Sequence, residues 1–301
     1  MSYILNIKTI EAHQKGIPKV SIFPSGNIIS ISNDLSIKIW DNNFNLIQHI
    51  ENAHEEYLTY VEIENENNFV TCSDDRSIKF WNKQYNIFTL KENIINAHQS
   101  GITKVIFIKN KQNLISCSED ETIKVWEKKN KINKYQCVNI IQLPGWVFSI
   151  MDIPDKNLLL VAGPFLGIFF YNNIHFNINF SIKNANCRTN NSIERIDNDR
   201  IIVGGRKDCI IKILSISLKK VIKEINNKTH CWGVLVIKNK NIFIVGGYNS
   251  IDIKVYNSES YELINVLKNA HNRGIYGFTF LNNKNFISYS LDCLIKIWEI
   301  Q

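Results

Sequence analysis

Four times the sequence sets a histidine, a hydroxyl residue, an aspartate and a tryptophan in the same order. The sets are His13, Ser30, Asp34 and Trp40; His54, Thr71, Asp75 and Trp81; His98, Ser116, Asp120 and Trp126; and His271, Ser288, Asp292 and Trp298. A serine, a histidine and an aspartate are the residue types of a nucleophilic hydrolase, in which imidazole activates the hydroxyl and carboxylate orients imidazole. The pattern argues against that use. An enzyme needs one such group, open to substrate, and has no need of a tryptophan at constant spacing. In all four sets the aspartate stands four residues after the hydroxyl and six before the tryptophan. A different chemistry accounts for every member. A buried indole N–H needs an acceptor, and a hydroxyl supplies one. The hydroxyl passes its own hydrogen to imidazole, and imidazole donates its other N–H to the carboxylate, so no polar group is left unpaired. On this reading the histidines are core residues, not bases or metal ligands.

Such a clamp needs strands to hold it, and the surrounding sequence repeats with it. "IISISNDLSIKIWD", "FVTCSDDRSIKFWN" and "LISCSEDETIKVWE" are versions of one phrase. Aligning the phrase puts a tryptophan or a substitute at Trp40, Trp81, Trp126, Tyr171, Leu214, Tyr256 and Trp298, with gaps of 41, 45, 45, 43, 42 and 42 residues. Each unit alternates apolar and polar residues through short turns, as in "VIFIKNKQNLISCSEDETIKVW", which predicts strand, turn, strand, turn, strand. No amphipathic helix of useful length is predicted. Repeats of this period suit a propeller of four-stranded blades, in which a blade cannot bury both faces without its neighbours.

The chain resembles the WD-repeat β-propeller family over its whole length. The resemblance implies that the tryptophan lies on the third strand, the Ser or Thr on the second, the Asp in the turn between them, and the His in the loop before the first strand. The expected fold is all-β: a single domain over 1–301, a seven-bladed propeller of four-stranded antiparallel blades. "ILNIKTI" (4–10) precedes the first histidine, and the seventh unit stops after its third strand, so the N-terminal segment is expected to complete that last blade and close the ring.

Units four to six depart from the phrase. In the fourth, Val161, Phe165 and Tyr171 align with the hydroxyl, Asp and Trp positions; the fifth keeps Asp208 but has Gly204 and Leu214; the sixth has Gly246, Ser250 and Tyr256, with His230 one residue late. Drift in an otherwise closed ring explains this, and so does specialisation of these blades for a partner.

In the family, partners usually meet the rim of loops on the narrow top face. The position three after the histidine aligns as Gly16, Tyr57, Gly101, Trp146, Asn190, Trp232 and Gly274, and the residue before the turn Asp as Asn33, Asp74, Glu119, Phe165, Lys207, Asn249 and Leu291. Tyr and Trp are favoured interface anchors. The candidate partner contacts are therefore Tyr57, Asp74, Glu119, Trp146, Phe165, Arg188, Lys207 and Trp232. Acid at Asp74 and Glu119 and base near Arg188 and Lys207 suit a protein or peptide of mixed charge better than a polyanion, which needs a continuous basic track.

Composition sets the outer bounds. The chain has 301 residues, 45% of them hydrophobic, which is enough to bury a core. No apolar run is long enough to span a membrane, and "MSYILNIKTIEAH" lacks the marks of a signal peptide. Seven cysteines stand singly without a CxxC pair, which points to reduced thiols in the cytoplasm or nucleus and against zinc. The net charge of +7 admits an anionic partner, but lysine-rich loops such as "EKKNKINK" read equally well as solvated surface. There is no glycine-rich phosphate loop and no metal-ligand cluster, so no cofactor, no metal and no enzymatic activity are expected. The reading is a non-enzymatic scaffold or adaptor within a multiprotein complex. A subunit of an RNA–protein particle and a ubiquitin-binding propeller are its rivals.

Overall fold

The computed structural model describes residues 4–108, 113–129, 134–163, 192–205 and 209–301, together with the backbone of 166–172 and 175–182. The chain is an all-β propeller built from four-stranded antiparallel sheets. Among the described residues the helical pieces are two single 3-10 turns, Pro154–Lys156 and Lys238–Lys240. The chain divides into two compact units, Met1–Ala53 with Asn190–Gln301, and His54–Thr189.

The second unit holds three sheets. They are Leu58–Asn65, Asn68–Ser73, Ile78–Gln84 and Ile87–Ile94; Ile102–Phe107, Leu114–Ser118, Thr122–Lys129 and Lys134–Gln142; and Ser149–Ile153, Leu158–Ala162, Leu166–Asn172 and His175–Ile182. In each sheet the strands pair in sequence order, as successive hairpins require. The second strands Leu114–Ser118 and Leu158–Ala162 are buried along their whole length. In the middle sheet, side chains of both neighbouring sheets cover Leu114–Ser118, through Leu114 on one side and Ile115 and Cys117 on the other. Val70, Ile78, Ile102, Val105, Leu114 and Trp126 interleave between the first two sheets. Ile115, Ile123, Val125, Ile150, Leu159 and Val161 do so between the second and third. A fully buried aliphatic side chain stabilises by about 1.5–3 kcal/mol, so these inter-sheet layers carry most of the cohesion.

Polar ties add direction. Each of the first two inner strands in this unit breaks its pairing register at a threonine, Thr59 and Thr103. The bulge turns that side chain towards the next sheet. There Thr59 Oγ1 donates to the Ile102 carbonyl at 2.5 Å and Thr103 Oγ1 to the Val147 carbonyl at 2.6 Å.

The first unit holds four sheets among its described residues. One comprises Lys19–Ile22, Ile28–Ile31, Ile37–Trp40 and Leu46–Ile50; the next Ile193–Arg195, Arg200–Gly204, Ile210–Ser215 and Lys220–Asn226; the third Gly233–Ile237, Ile242–Gly247, Ser250–Asn257 and Leu263–Leu267. The fourth combines both ends of the sequence. Ile275–Phe280, Asn285–Ser290 and Leu294–Ile300 are joined by Ile4–Glu11, which pairs antiparallel with Leu294–Ile300 from Ile4 opposite Ile300 to Glu11 opposite Leu294. Ile4 is buried in the cluster of Phe286, Trp298 and Ile300.

Candidate protein-interaction rim

The register of the strands places the polar sets first. In four sheets the tryptophan on the third strand lies across from an apolar residue two before the hydroxyl: Ile28 opposite Trp40, Phe69 opposite Trp81, Leu114 opposite Trp126 and Phe286 opposite Trp298. Each indole N–H donates to the hydroxyl, to Ser30 at 2.9 Å, Thr71 at 2.9 Å, Ser116 at 2.8 Å and Ser288 at 2.8 Å. The same hydroxyls lie 2.8, 2.8, 2.7 and 2.6 Å from Nε2 of His13, His54, His98 and His271. On the far side of each ring Nδ1 reaches Asp34, Asp75, Asp120 and Asp292 at 3.1, 2.8, 2.9 and 2.9 Å. The one tautomer that satisfies every group has Nδ1–H donating to the carboxylate and Nε2 accepting from the hydroxyl. Burial lowers all four histidine pKa values despite the adjacent carboxylates, so the rings are neutral. Burial acts to raise the aspartates, but hydrogen bonds from the histidines and from backbone N–H groups outweigh it and hold all four well below the usual range. All four hydroxyl residues are completely buried. They have no access to a substrate, and their acceptor capacity is spent on indoles.

Two further members of the clamp escaped the sequence reading. Ser36, Ser77 and Thr122, two residues after the aspartate, each place a hydroxyl near the histidine Nδ1, at 3.1, 3.0 and 3.1 Å. Lys38 and Lys124, two residues before the tryptophan, donate to the carbonyls of Ala12 and Ala97 at 2.8 and 2.7 Å, and Lys254 donates to the Asn227 carbonyl. The signals were in plain view as the recurrent "DLS", "DRS" and "DET", and as the lysine of "IKIW" and "IKVW". Several lysines that look like surface charge are therefore structural.

The register also corrects the alignment of units four to six. In every intact unit the outer pairing shifts register just before the tryptophan. The same shift falls before Phe169, Leu214 and Tyr256. Phe169, not Tyr171, holds the tryptophan position of the fourth unit. Its partner across the ladder is Leu159, and those of Leu214 and Tyr256 are Ile201 and Phe243. Two residues further on, the hydroxyl position holds Val161, Val203 and Val245, not Gly204 or Gly246 in the last two. The constant spacing assumed from sequence failed because the turn between the second and third strands is shorter in the fourth unit and longer in the other two. The chemistry is coherent. Where the indole is gone its acceptor is gone too, replaced by valine, close to threonine in shape and without the hydroxyl. All three valines are buried.

The sixth unit substitutes a smaller network. Tyr256 stacks on Phe243 with centroids 5.1 Å apart, as Trp81 stacks on Phe69 at 5.9 Å. Its hydroxyl donates to Asn227 Oδ1 at 2.8 Å, and Asn227 Nδ2 donates to the Thr229 carbonyl at 2.9 Å. Asn227 occupies the place of the alanine before the clamp histidine: its N–H donates to the Cys209 carbonyl, as those of Ala53 and Ala97 donate to Leu35 and Arg76.

The clamps fix the loops beside them. Backbone N–H groups of Asn33, Asp74, Glu119 and Leu291 donate to the carbonyls of Gly16, Tyr57, Gly101 and Gly274 at 2.9–3.1 Å. The two aligned rim positions of each intact unit therefore lie side by side. In the second unit of the fold this surface is aromatic and acidic. Tyr57 is 45% and Trp146 49% exposed. Asp74 leans over Gly101, where an added Cβ would come within 2.7 Å of its Oδ1. Partial burial, then the charges of Glu119, Glu56 and Asp75, push the Asp74 carboxyl up to about 6. Phe148 packs edge-on to Trp146 with centroids 6.1 Å apart.

In the first unit Trp232 departs from its expected role as an exposed anchor. It is only 7% exposed, held between Tyr248 and Tyr276 with centroids 4.6 and 4.9 Å apart. Tyr276 is the bulged residue of its strand, which turns its ring sideways towards Trp232. His230 does not enter a clamp: its N–H donates to Asn249 Oδ1 at 3.0 Å. Phe165, Arg188 and Lys207 lie outside the described residues.

A family model described as WD domain, G-beta repeat matches residues 5–41, 45–82, 89–127 and 261–299, just over half of the chain. The chain belongs to the WD-repeat family. The matched segments hold the four complete clamps, and the valine-bearing WD units are those left unmatched. No curated protein matches the sequence. WD propellers serve in general as interaction scaffolds and not as catalysts. None of the described cysteines of this WD-repeat chain is in a disulfide, and among the described residues no cluster of His, Cys, Asp and Glu could hold a metal ion. No described helix is long and apolar enough to cross a membrane.

Proposed function

We propose that this WD-repeat chain is a non-enzymatic scaffold or adaptor whose top-face loops receive a protein or peptide partner within a larger complex. The observation that carries the reading is a contrast. The four Ser/Thr–His–Asp groups are buried and spent on tryptophans, whereas Tyr57 and Trp146 stand half exposed on rigidly held loops beside Asp74 and Glu119. Large aromatic side chains beside charge are what an interface anchor requires. The regular period of the sequence extends the reading to one ring of seven blades and one domain, completed by the N-terminal strand. Phe165, Arg188 and Lys207 belong to the proposed contact set by their sequence positions.

Affinity capture from the native organism with mass spectrometry, wild type against Tyr57→Ala/Trp146→Ala, tests the proposal. The main protein contact should be lost in the double variant and should change little between low and moderate salt. Retention by the double variant would move the interface off these loops. A contact that weakens steeply with salt would instead identify a nucleic-acid partner.

A further inference from the structure

A second candidate site, separate from the rim, lies in the unit His54–Thr189. A cleft with about 350 Å³ of empty space, counting its open mouth, is lined by side chains of two neighbouring sheets, among them Glu64 and Phe80 on one and Lys128 and Tyr135 on the other. Glu64 and Lys128 stand near the far ends of Leu58–Asn65 and Thr122–Lys129, strands that begin just after the rim positions Tyr57 and Glu119. The cleft therefore sits at the opposite end of these strands from the rim.

Its aromatic wall spans the two sheets. Tyr135 stacks on Phe80 with centroids 4.4 Å apart and an interplanar angle of 11°. The Tyr135 N–H donates to Glu92 Oε1 at 3.0 Å, which ties that carboxylate to the neighbouring sheet. Burial, then the charges of Glu64 and Glu92, push the Tyr135 phenol above its ordinary range, so both carboxylates act on its hydroxyl. The ring and the two carboxylates line one cleft, and Lys91 and Lys128 line it with them.

An aromatic ring beside two carboxylates and a phenol oxygen matches a guanidinium, which stacks on aromatic faces and carries five N–H donors in a fixed fork. A lone cation would also meet Lys91 and Lys128, so an anion must accompany it. We propose that this cleft binds a protein segment in which an arginine adjoins an acidic residue. The guanidinium lies against Tyr135 and pairs with Glu64 and Glu92, and the acid pairs with Lys91 and Lys128. Charges of both signs in one cleft select such a segment over a nucleic acid, whose phosphates would face Glu64 and Glu92. The proposal goes beyond the rim reading and does not depend on it.

The test uses the full chain and three synthetic peptides: Gly-Ser-Arg-Asp-Ser-Gly, the same peptide with glutamine for arginine, and the same with lysine for arginine. Titrations followed by NMR should show saturable binding of the arginine peptide and weaker binding of the other two. Glu64→Gln/Glu92→Gln removes both negative charges but keeps an acceptor for the Tyr135 N–H, and should weaken the arginine peptide about tenfold or more. Lys91→Ala/Lys128→Ala should weaken it as well. Glu64→Gln alone changes an exposed side chain and should leave the Tm unchanged, so it remains informative if the double variant perturbs folding. No binding, equal binding of the glutamine or lysine peptide, or full affinity in the glutamate variants would each overturn the proposal. So would loss of the peptide from Tyr57→Ala/Trp146→Ala, which would place it on the rim. If the arginine peptide fails while that rim variant still releases the native partner, only this inference falls. If the peptide binds while the rim variant releases nothing, only the rim reading falls.

Discussion

Tyr256 donates its phenolic hydrogen to Asn227 Oδ1 at 2.8 Å, joining the third strand of one WD unit to the loop that precedes its first strand. Both residues are buried, 3% and 1% exposed. The pair does the work of the Trp–Ser–His–Asp clamp with two side chains. Tyr256→Phe should cost about 1–3 kcal/mol, because it strips a buried amide oxygen of its donor. Asn227→Leu, which removes the other partner, should leave Tyr256→Phe with little further effect. Urea unfolding of the two single variants and the double variant measures the coupling, and simple additivity would show that the bond carries no stability.

The valine substitutions allow a shape-matched comparison. Thr71→Val keeps the outline of the side chain but leaves the Trp81 N–H without its acceptor and His54 Nε2 without its donor, and should cost about 1–3 kcal/mol or more. Thr71→Ser keeps the hydroxyl and should cost less. The reverse change, Val245→Thr, buries a hydroxyl where no indole waits for it, and should also destabilise. If Thr71→Val were as stable as wild type in urea, the hydroxyl would be no part of a clamp.

How much of this was legible in the sequence follows from where the information lies. The four clamps were readable because each is written within one unit at fixed spacing, and so were the strands that hold them. Phe169, Val203 and Val245 were misplaced because spacing was taken as constant, whereas hydrogen-bond register tolerates turns of different length. Asn227 was missed because nothing in the repeated phrase marks an asparagine as a partner for tyrosine. Trp232 was misread for a different reason. Its covering ring Tyr276 lies in the next unit and is turned by a bulge, a feature that no local pattern encodes.

The titration of the clamps predicts an acid-side loss of stability. Burial lowers the folded pKa of His13, His54, His98 and His271 below the ordinary 6.5. As pH falls through about 6.5, the unfolded chain takes up protons at these residues and the folded chain does not, so stability declines. The aspartates have the same sign at lower pH: unfolded carboxylates protonate near 4, while the folded ones remain ionised. Asp74, pushed up to about 6, and Glu119, also raised by burial, oppose this on the acid side, but they are two groups against four histidines. The urea midpoint should therefore fall between pH 7 and pH 5. A rise over that interval would show that the buried rings are protonated.

Deleting residues 1–11 removes the strand paired along Leu294–Ile300 and takes Ile4 out of its core cluster. An unpaired edge invites association with other chains. The truncated protein should melt at lower temperature and aggregate on heating, and light scattering during a thermal ramp reads both effects. Unchanged melting and clear solutions would mean that this pairing adds little.

The two rim tryptophans should separate stability from binding. Trp146 is 49% exposed and touches Phe148 edge-on; Trp232 is 7% exposed and lies between two tyrosines. Trp232→Ala opens a cavity inside a stack and should cost about 3–5 kcal/mol. Trp146→Ala removes a surface ring and should fall within about 0.5 kcal/mol of wild type. For binding the order reverses. An exposed central anchor contributes about 2 kcal/mol or more, roughly thirty-fold in affinity, so Trp146→Ala should release the native partner from a fully folded chain. Trp232→Phe supplies the control, since it retains a ring between Tyr248 and Tyr276 and should preserve both stability and the Trp146-dependent contact. Chemical unfolding and pull-down on the same three proteins decide the matter. If Trp146→Ala unfolds the chain, its ring is a packing element and the anchor must be sought elsewhere on the rim.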